Sequence, residues 1–153
     1  MPGLFLIAHE PLASALKCAA QHCFPEAIAS LQALDVSAGQ PPEEIEAQAR
    51  ILLQKAQDSD ERGEVLILTD VFGATPCNTV QRLADGQRVK VVTGVNLPML
   101  WRALNYSRES LDTLITRAVT GGSQGIMQIA TSRPQNQATP PSSHDQDHRH
   151  HQQ

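Results

Sequence analysis

The sequence predicts an α/β domain on a mostly parallel four-stranded sheet, and three observations carry that expectation. Short runs of strand length recur at 4–8, 27–36, 64–69 and 87–93. Segments with helical spacing separate them, which is the alternation of βαβ units. The clearest two, 4–8 and 64–69, are almost continuously apolar, as expected of strands covered on both faces.

Leu4-Phe5-Leu6-Ile7-Ala8 reads as the first strand, and Pro11 follows at a position suited to the first turn of a helix. That helix is expected over 11–23, burying Leu12, Ala15, Leu16 and Ala19. Residues 27–36 read as the second strand. Pro41-Pro42-Glu43-Glu44 opens the next helix with its acids in the first turn, where the helix dipole favours them. Its expected buried face is Ile45, Ala49, Leu52 and Ala56. Residues 64–69 form the third strand, and a Gly73-Ala74-Thr75-Pro76 turn leads into a helix over 76–84. A fourth strand over 87–93 precedes helices over 97–106 and 110–119. A late, short strand over 125–131 follows Gly121-Gly122, a flexible pair suited to a hinge. Right-handed crossovers restrict the topology. A flavodoxin-like order then sets strand one beside strand three, with helices on both faces. The ligand crevice lies at the carboxyl ends of those strands.

Composition narrows what such a domain does. The chain has 153 residues, enough for one domain with a real core. Twelve Lys and Arg against 16 Asp and Glu give a net charge of −4, which argues against a nucleic-acid partner. No apolar run approaches the roughly 18 residues of a membrane span. The start lacks the basic region of a signal peptide. Three cysteines imply no disulfide framework. A cytoplasmic location without membrane insertion is therefore expected. Residues 133–153 contain three Pro, five Gln and four His, with Ala138 as the sole aliphatic side chain. Such a segment cannot offset its ordering entropy, so it reads as a disordered tail after a folded domain over 1–132. The tail histidines, His144, His148, His150 and His151, read as part of that solvated, biased segment. His22, within the first helix, reads as a structural or surface residue. Cys18, Cys23 and Cys77 lack metal-ligand spacing.

The crevice rule points to two strand ends. Strand one ends at His9, and strand three ends at Asp70. Neighbouring strands lie about 4.8 Å apart, so side chains at their ends can touch. A carboxylate bonded to one imidazole nitrogen fixes the tautomer and leaves the other nitrogen as a nucleophile. The amides of Gly73, Ala74 and Thr75, with the Thr75 hydroxyl, make an anion site at a helix N-terminus. Together these suggest phosphoryl transfer through a phosphohistidine. Farther along, Asn96 suits a helix cap and Pro98 a first helical turn. The loop at the end of strand four then reads either as a plain connection or as a partner-docking rim. The rim would be built on Asn96 and Met99, with Met99, Leu100 and Trp101 partly exposed.

Three stretches, Ile7-Ala8-His9, the run from Leu68 through Asp70 and Thr75 to Asn78, and Val92 to Leu100, occur in a distinctive order and spacing. They resemble the mannose-family enzyme IIA component of the bacterial sugar phosphotransferase system (PTS), over about residues 3–131. The resemblance implies that His9 accepts a phosphoryl group from the phosphocarrier HPr and donates it to a histidine of a IIB component. It also implies that Asp70 orients His9, that Thr75 supplies the phosphate-site hydroxyl, and that the step needs no metal or organic cofactor. It further implies a homodimer in which residues 126–131 pair antiparallel on the partner's sheet edge. An uncovered edge after strand four would expose unpaired amides, so the edge argument points the same way.

Two positions depart from the family pattern. Glu10 stands where the family usually has glycine, and it places negative charge near the phosphorylation site. Gly73-Ala74 replaces a common Gly-Gly, and an alanine there requires a negative φ. Three other readings fit the same residues. They are a regulatory sensor of phosphorylation state, a phosphotransfer subunit for dihydroxyacetone kinase, and an anion-binding module without enzymatic activity.

Overall fold

The computed structural model describes residues 1–132, and the tail expected over 133–153 lies outside them. The elements are β1 (Gly3–His9), α1 (Leu12–Gln21), a 3₁₀ turn (Ala27–Ser30), β2 (Gln32–Val36), α2 (Pro42–Asp58), β3 (Val65–Thr69), α3 (Thr75–Leu83), β4 (Val89–Val92), α4 (Leu97–Asn105) and α5 (Leu111–Gln124). The four strands pair in the order β2-β1-β3-β4, all parallel. This is the predicted topology, with strand one beside strand three.

Alternating side chains of the central strands feed two cores. Leu4, Leu6 and Ala8 of β1 join Leu66 and Leu68 of β3 against α1, α4 and α5. Phe5 and Ile7, with Val65 and Ile67, pack against α2 and α3. Each large side chain fully buried this way contributes about 1.5–3 kcal/mol. No helix among the described residues is long and apolar enough to cross a membrane.

The structure corrects four expectations. The second strand starts at Gln32, because 27–30 form a 3₁₀ turn that buries Ile28. The Ser30 hydroxyl donates to the Ala27 carbonyl at 3.0 Å, a local bond that competes with extended backbone. In α1 the buried face is Ala13, Leu16 and Ala20, while Leu12, Ala15 and Ala19 are exposed. Pro11 sits at the N-cap, so the helix starts one residue later than expected. Asp35 of β2 fixes that phase, accepting the Ser14 N–H at 3.0 Å and the Ser14 hydroxyl. In α2, Leu53 takes the fully buried place expected of Leu52, which is half-buried.

The fourth correction concerns the carboxyl end. Gly121 and Gly122 are no hinge; α5 runs through both to Gln124. A Cβ on Gly121 would come within 2.6 Å of the Arg102 Cβ, and one on Gly122 within 2.8 Å of the Met99 Cε. These glycines let α5 close onto α4. Residues 126–132 carry no strand in the single chain, and Ile126, Met127 and Ile129 are exposed. A strand forms against a neighbour's ladder, and none of the described strands pairs with this segment.

Candidate functional site

The carboxyl ends of β1 and β3 meet as the topology requires. His9 closes β1, opposite Val36 of β2, while Ile7 stands opposite Thr69 of β3. Asp70 follows directly and turns its carboxylate back onto His9. Its Oδ2 lies 2.6 Å from the ring Nδ1 and accepts the His9 backbone N–H at 2.9 Å. Its Oδ1 accepts the Val71 N–H at 2.9 Å.

Burial pushes the Asp70 carboxyl pKa up, but the N–H groups of His9 and Val71 and the His9 ring outweigh it. The net position is below the ordinary aspartate value. Asp70 is therefore the ionised acceptor. An ionised acceptor at Nδ1 favours the tautomer with its proton on Nδ1 and its lone pair on Nε2. The His9 side chain is 54% exposed and that of Asp70 9%, so a well-buried anion holds an accessible nucleophile.

A cleft of about 410 Å³ opens beside His9, shared by Glu10, Ser37, Gln40 and Thr75. Gly73 has φ +85°, which glycine adopts freely. Ala74 has φ −91° and ψ 167°, the negative φ that an alanine needs there. Asn78 fastens the turn, its side-chain amide donating to the Gly73 carbonyl at 3.2 Å. No side chain caps α3, and Pro76 has no N–H. Among the described residues the Thr75 and Cys77 amides find no acceptor. Gly73 and Ala74 thus shape the turn that delivers Thr75 and an open helix N-terminus to the His9 cleft. An anion is stabilised at such an end by free amides and by the helix dipole.

The docking-rim residues are placed differently. Asn96 is the predicted cap of α4, its Oδ1 accepting the Met99 N–H at 2.9 Å. Its Nδ2 donates to the Gly122 carbonyl at 3.1 Å. Met99 is 5% exposed and Leu100 is fully buried, so neither forms a rim, while Trp101 is partly exposed. The exposed apolar side chains beside the dyad are Val71 and Phe72, at 55% and 73%. The sequence reading also passed over Ser37 and Gln40. They lie after β2, the other neighbour of β1, so the carboxyl-end rule could have drawn them in.

An α/β domain with a carboxylate-held histidine at its crevice is one of a recognisable class. The chain belongs to the EIIA-man family, described as the PTS system fructose IIA component, which it matches over residues 3–119. It is thereby a member of a family of sugar phosphotransfer components. It is 44% identical over 59 residues to the PTS system fructose-specific EIIA component of Bacillus subtilis (strain 168), covering 38% of this chain and 40% of that protein. It is 34% identical over 79 residues to the PTS system mannose-specific EIIAB component of Escherichia coli (strain K12), covering 50% of this chain and 24% of that protein. Each match thus spans less than half of the relative. The fold is shared with the mannose/sorbose specific IIA subunit from Enterococcus faecalis, with a TM-score of 0.75 and 24% identity, over 87% of this chain and 98% of that one. It is also shared with the EIIA component from Streptococcus agalactiae, with a TM-score of 0.72 and 22% identity, over 84% and 97%.

Proposed function

We propose that this chain is a cytoplasmic phosphocarrier. His9 Nε2 takes a phosphoryl group from phospho-HPr and passes it to a histidine of a IIB component, in carbohydrate uptake or its regulation. The observation that carries this reading is the 2.6 Å contact of Asp70 with Nδ1, which leaves Nε2 unengaged on a ring that shares its cleft with Thr75 at the start of α3. The Nε2 lone pair attacks phosphorus, the donor's N–P bond breaks, and the bonding pair stays on the donor nitrogen, returning that ring to neutral imidazole. The ring of His9 gains positive charge as the bond forms, and the Asp70 carboxylate stabilises it. The Thr75 hydroxyl and the free α3 amides receive the phosphoryl oxygens. Positioning and electrostatics are the protein's whole contribution to such a transfer. Val71 and Phe72 supply the apolar contact for the partner protein. Residues 126–131 pair with the sheet edge of a second copy, burying Ile126, Met127 and Ile129; light scattering on the full chain tests for the dimer.

The decisive experiment is incubation with phosphoenolpyruvate, enzyme I and HPr, followed by intact mass. The wild type gains one phosphate per chain, lost in acid and kept in alkali, and His9→Ala gains none. Acid-stable label, or label persisting in His9→Ala, overturns the reading.

A further inference from the structure

We infer that Glu10, tethered by Ser37 in the His9 cleft, raises the phosphoryl-transfer potential of phosphorylated His9; the inference rests on the phosphocarrier reading above. Glu10 directly follows the nucleophile and lines the same cleft. It is held at two points. Its N–H donates to the Val36 carbonyl at 2.9 Å, and its Oε2 accepts the Ser37 hydroxyl at 2.9 Å. The Ser37 loop is itself fixed, the Ser37 N–H donating to the Gln40 side-chain oxygen at 3.3 Å. The Ser37 contact therefore positions the exposed carboxylate at the cleft wall.

The residues lining this cleft include no lysine or arginine. A phosphoryl group brings a charge of about −2. Repulsion between it and Glu10 exists only while His9 carries phosphate. The unphosphorylated protein pays nothing, and the exchange equilibrium shifts toward release. In that exchange the N–P bond of one histidine breaks as that of the other forms, and Glu10 gives and takes no proton. Glu10 is thus a residue that sets the direction of transfer, making this chain a weaker acceptor and a stronger donor.

The test uses the full chain and its Glu10→Gln variant, whose amide oxygen still accepts from Ser37. Both are phosphorylated with phosphoramidate, a small donor whose P–N bond breaks with loss of ammonia. Each is then equilibrated with HPr, and both proteins are read by intact mass. The constant for acceptance from phospho-HPr rises roughly 3- to 10-fold in Glu10→Gln, the size expected of charges interacting through a water-like medium. Because Glu10 is exposed, the difference shrinks to under about twofold in 1 M salt, where the screening length is ~3 Å. Ser37→Ala, which frees the carboxylate, shifts the constant the same way by less. An unchanged constant in a Glu10→Gln protein that does carry phosphate on His9 overturns this inference alone. A shift that persists in full at 1 M salt overturns its electrostatic basis. A wild type that takes phosphate on His9 from neither donor overturns the phosphocarrier reading, and this inference with it.

Discussion

Two strand-to-helix turns lie side by side in this domain and end differently. The turn from β3 to α3 and the turn from β4 to α4 both contain a glycine with positive φ, Gly73 at +85° and Gly94 at +79°. Both helices carry a proline in their first turn. The second turn is bound to the first, with the Gly94 and Val95 amides donating to the Asp70 and Thr69 carbonyls at 2.8 and 3.0 Å. Yet α4 begins with Asn96, which satisfies a first-turn amide, whereas α3 begins with Ala74, which satisfies none. An open helix end forgoes roughly 1 kcal/mol that a cap would supply. The capped turn is structural, and the open one faces the cleft of the histidine and its carboxylate. Amides left free at α3 are what an incoming anion needs.

The largest effect expected from breaking this arrangement comes at Asp70. Asp70→Asn keeps the shape and loses the charge that selects the tautomer and stabilises a cationic ring. Loss of the equivalent charge in a serine-protease triad costs about 10⁴-fold. Here the exposed ring softens the effect, and transfer from phospho-HPr slows about 10²-fold, measured by rapid quench. Unchanged rates would leave Asp70 a turn residue. The same variant has a signature in acid. A carboxyl depressed in the folded state stabilises the protein above its unfolded pKa of about 3.9, and that contribution is lost as pH falls through the folded value. The stability gap between wild type and Asp70→Asn in urea melts therefore narrows from pH 6 to pH 3. A constant gap would show that the Asp70 charge contributes no folding energy.

The comparison sharpens if α3 is given the cap that α4 has. Ala74 has cap-like extended backbone, so Ala74→Ser and Ala74→Asp can present an acceptor to the Cys77 amide. Both gain about 0.5–1 kcal/mol of stability. Both lose transfer, because the amide is occupied: about tenfold for Ser, and more for Asp, whose charge also repels the phosphoryl group. A more stable protein with undiminished transfer would show that the α3 amides do not serve the anion.

Much of this was legible in the sequence, for reasons that particular residues make plain. His9 and Asp70 close apolar strands, and the order of those strands follows from βαβ handedness, so their meeting could be foreseen. Asn96 reads as a cap because only its local neighbours matter. The burial of Met99 was not legible, because it depends on α5 closing over it at Gly122. The Glu10–Ser37 contact spans 27 residues and joins a strand end to a loop without a periodic pattern. The α1 face could not be read locally, because Asp35, on another strand, fixes which way that helix is turned.

The smallest effect belongs to the capped turn. Asn96→Ala removes the acceptor for the Met99 amide and the donor to the Gly122 carbonyl. Losing a cap of this kind costs about 1–2 kcal/mol, or roughly 3–6 °C in melting temperature for a domain of this size. Phosphoryl acceptance by the folded protein should change by less than about twofold, since Asn96 holds α4 to α5 and lies outside the His9 cleft. Calorimetry and the quench assay on one preparation decide the matter. A fall in Tm with normal transfer assigns Asn96 to the scaffold. Slow transfer from phospho-HPr at an unchanged Tm would assign it to the docking rim, and the two turns would then both serve the partner.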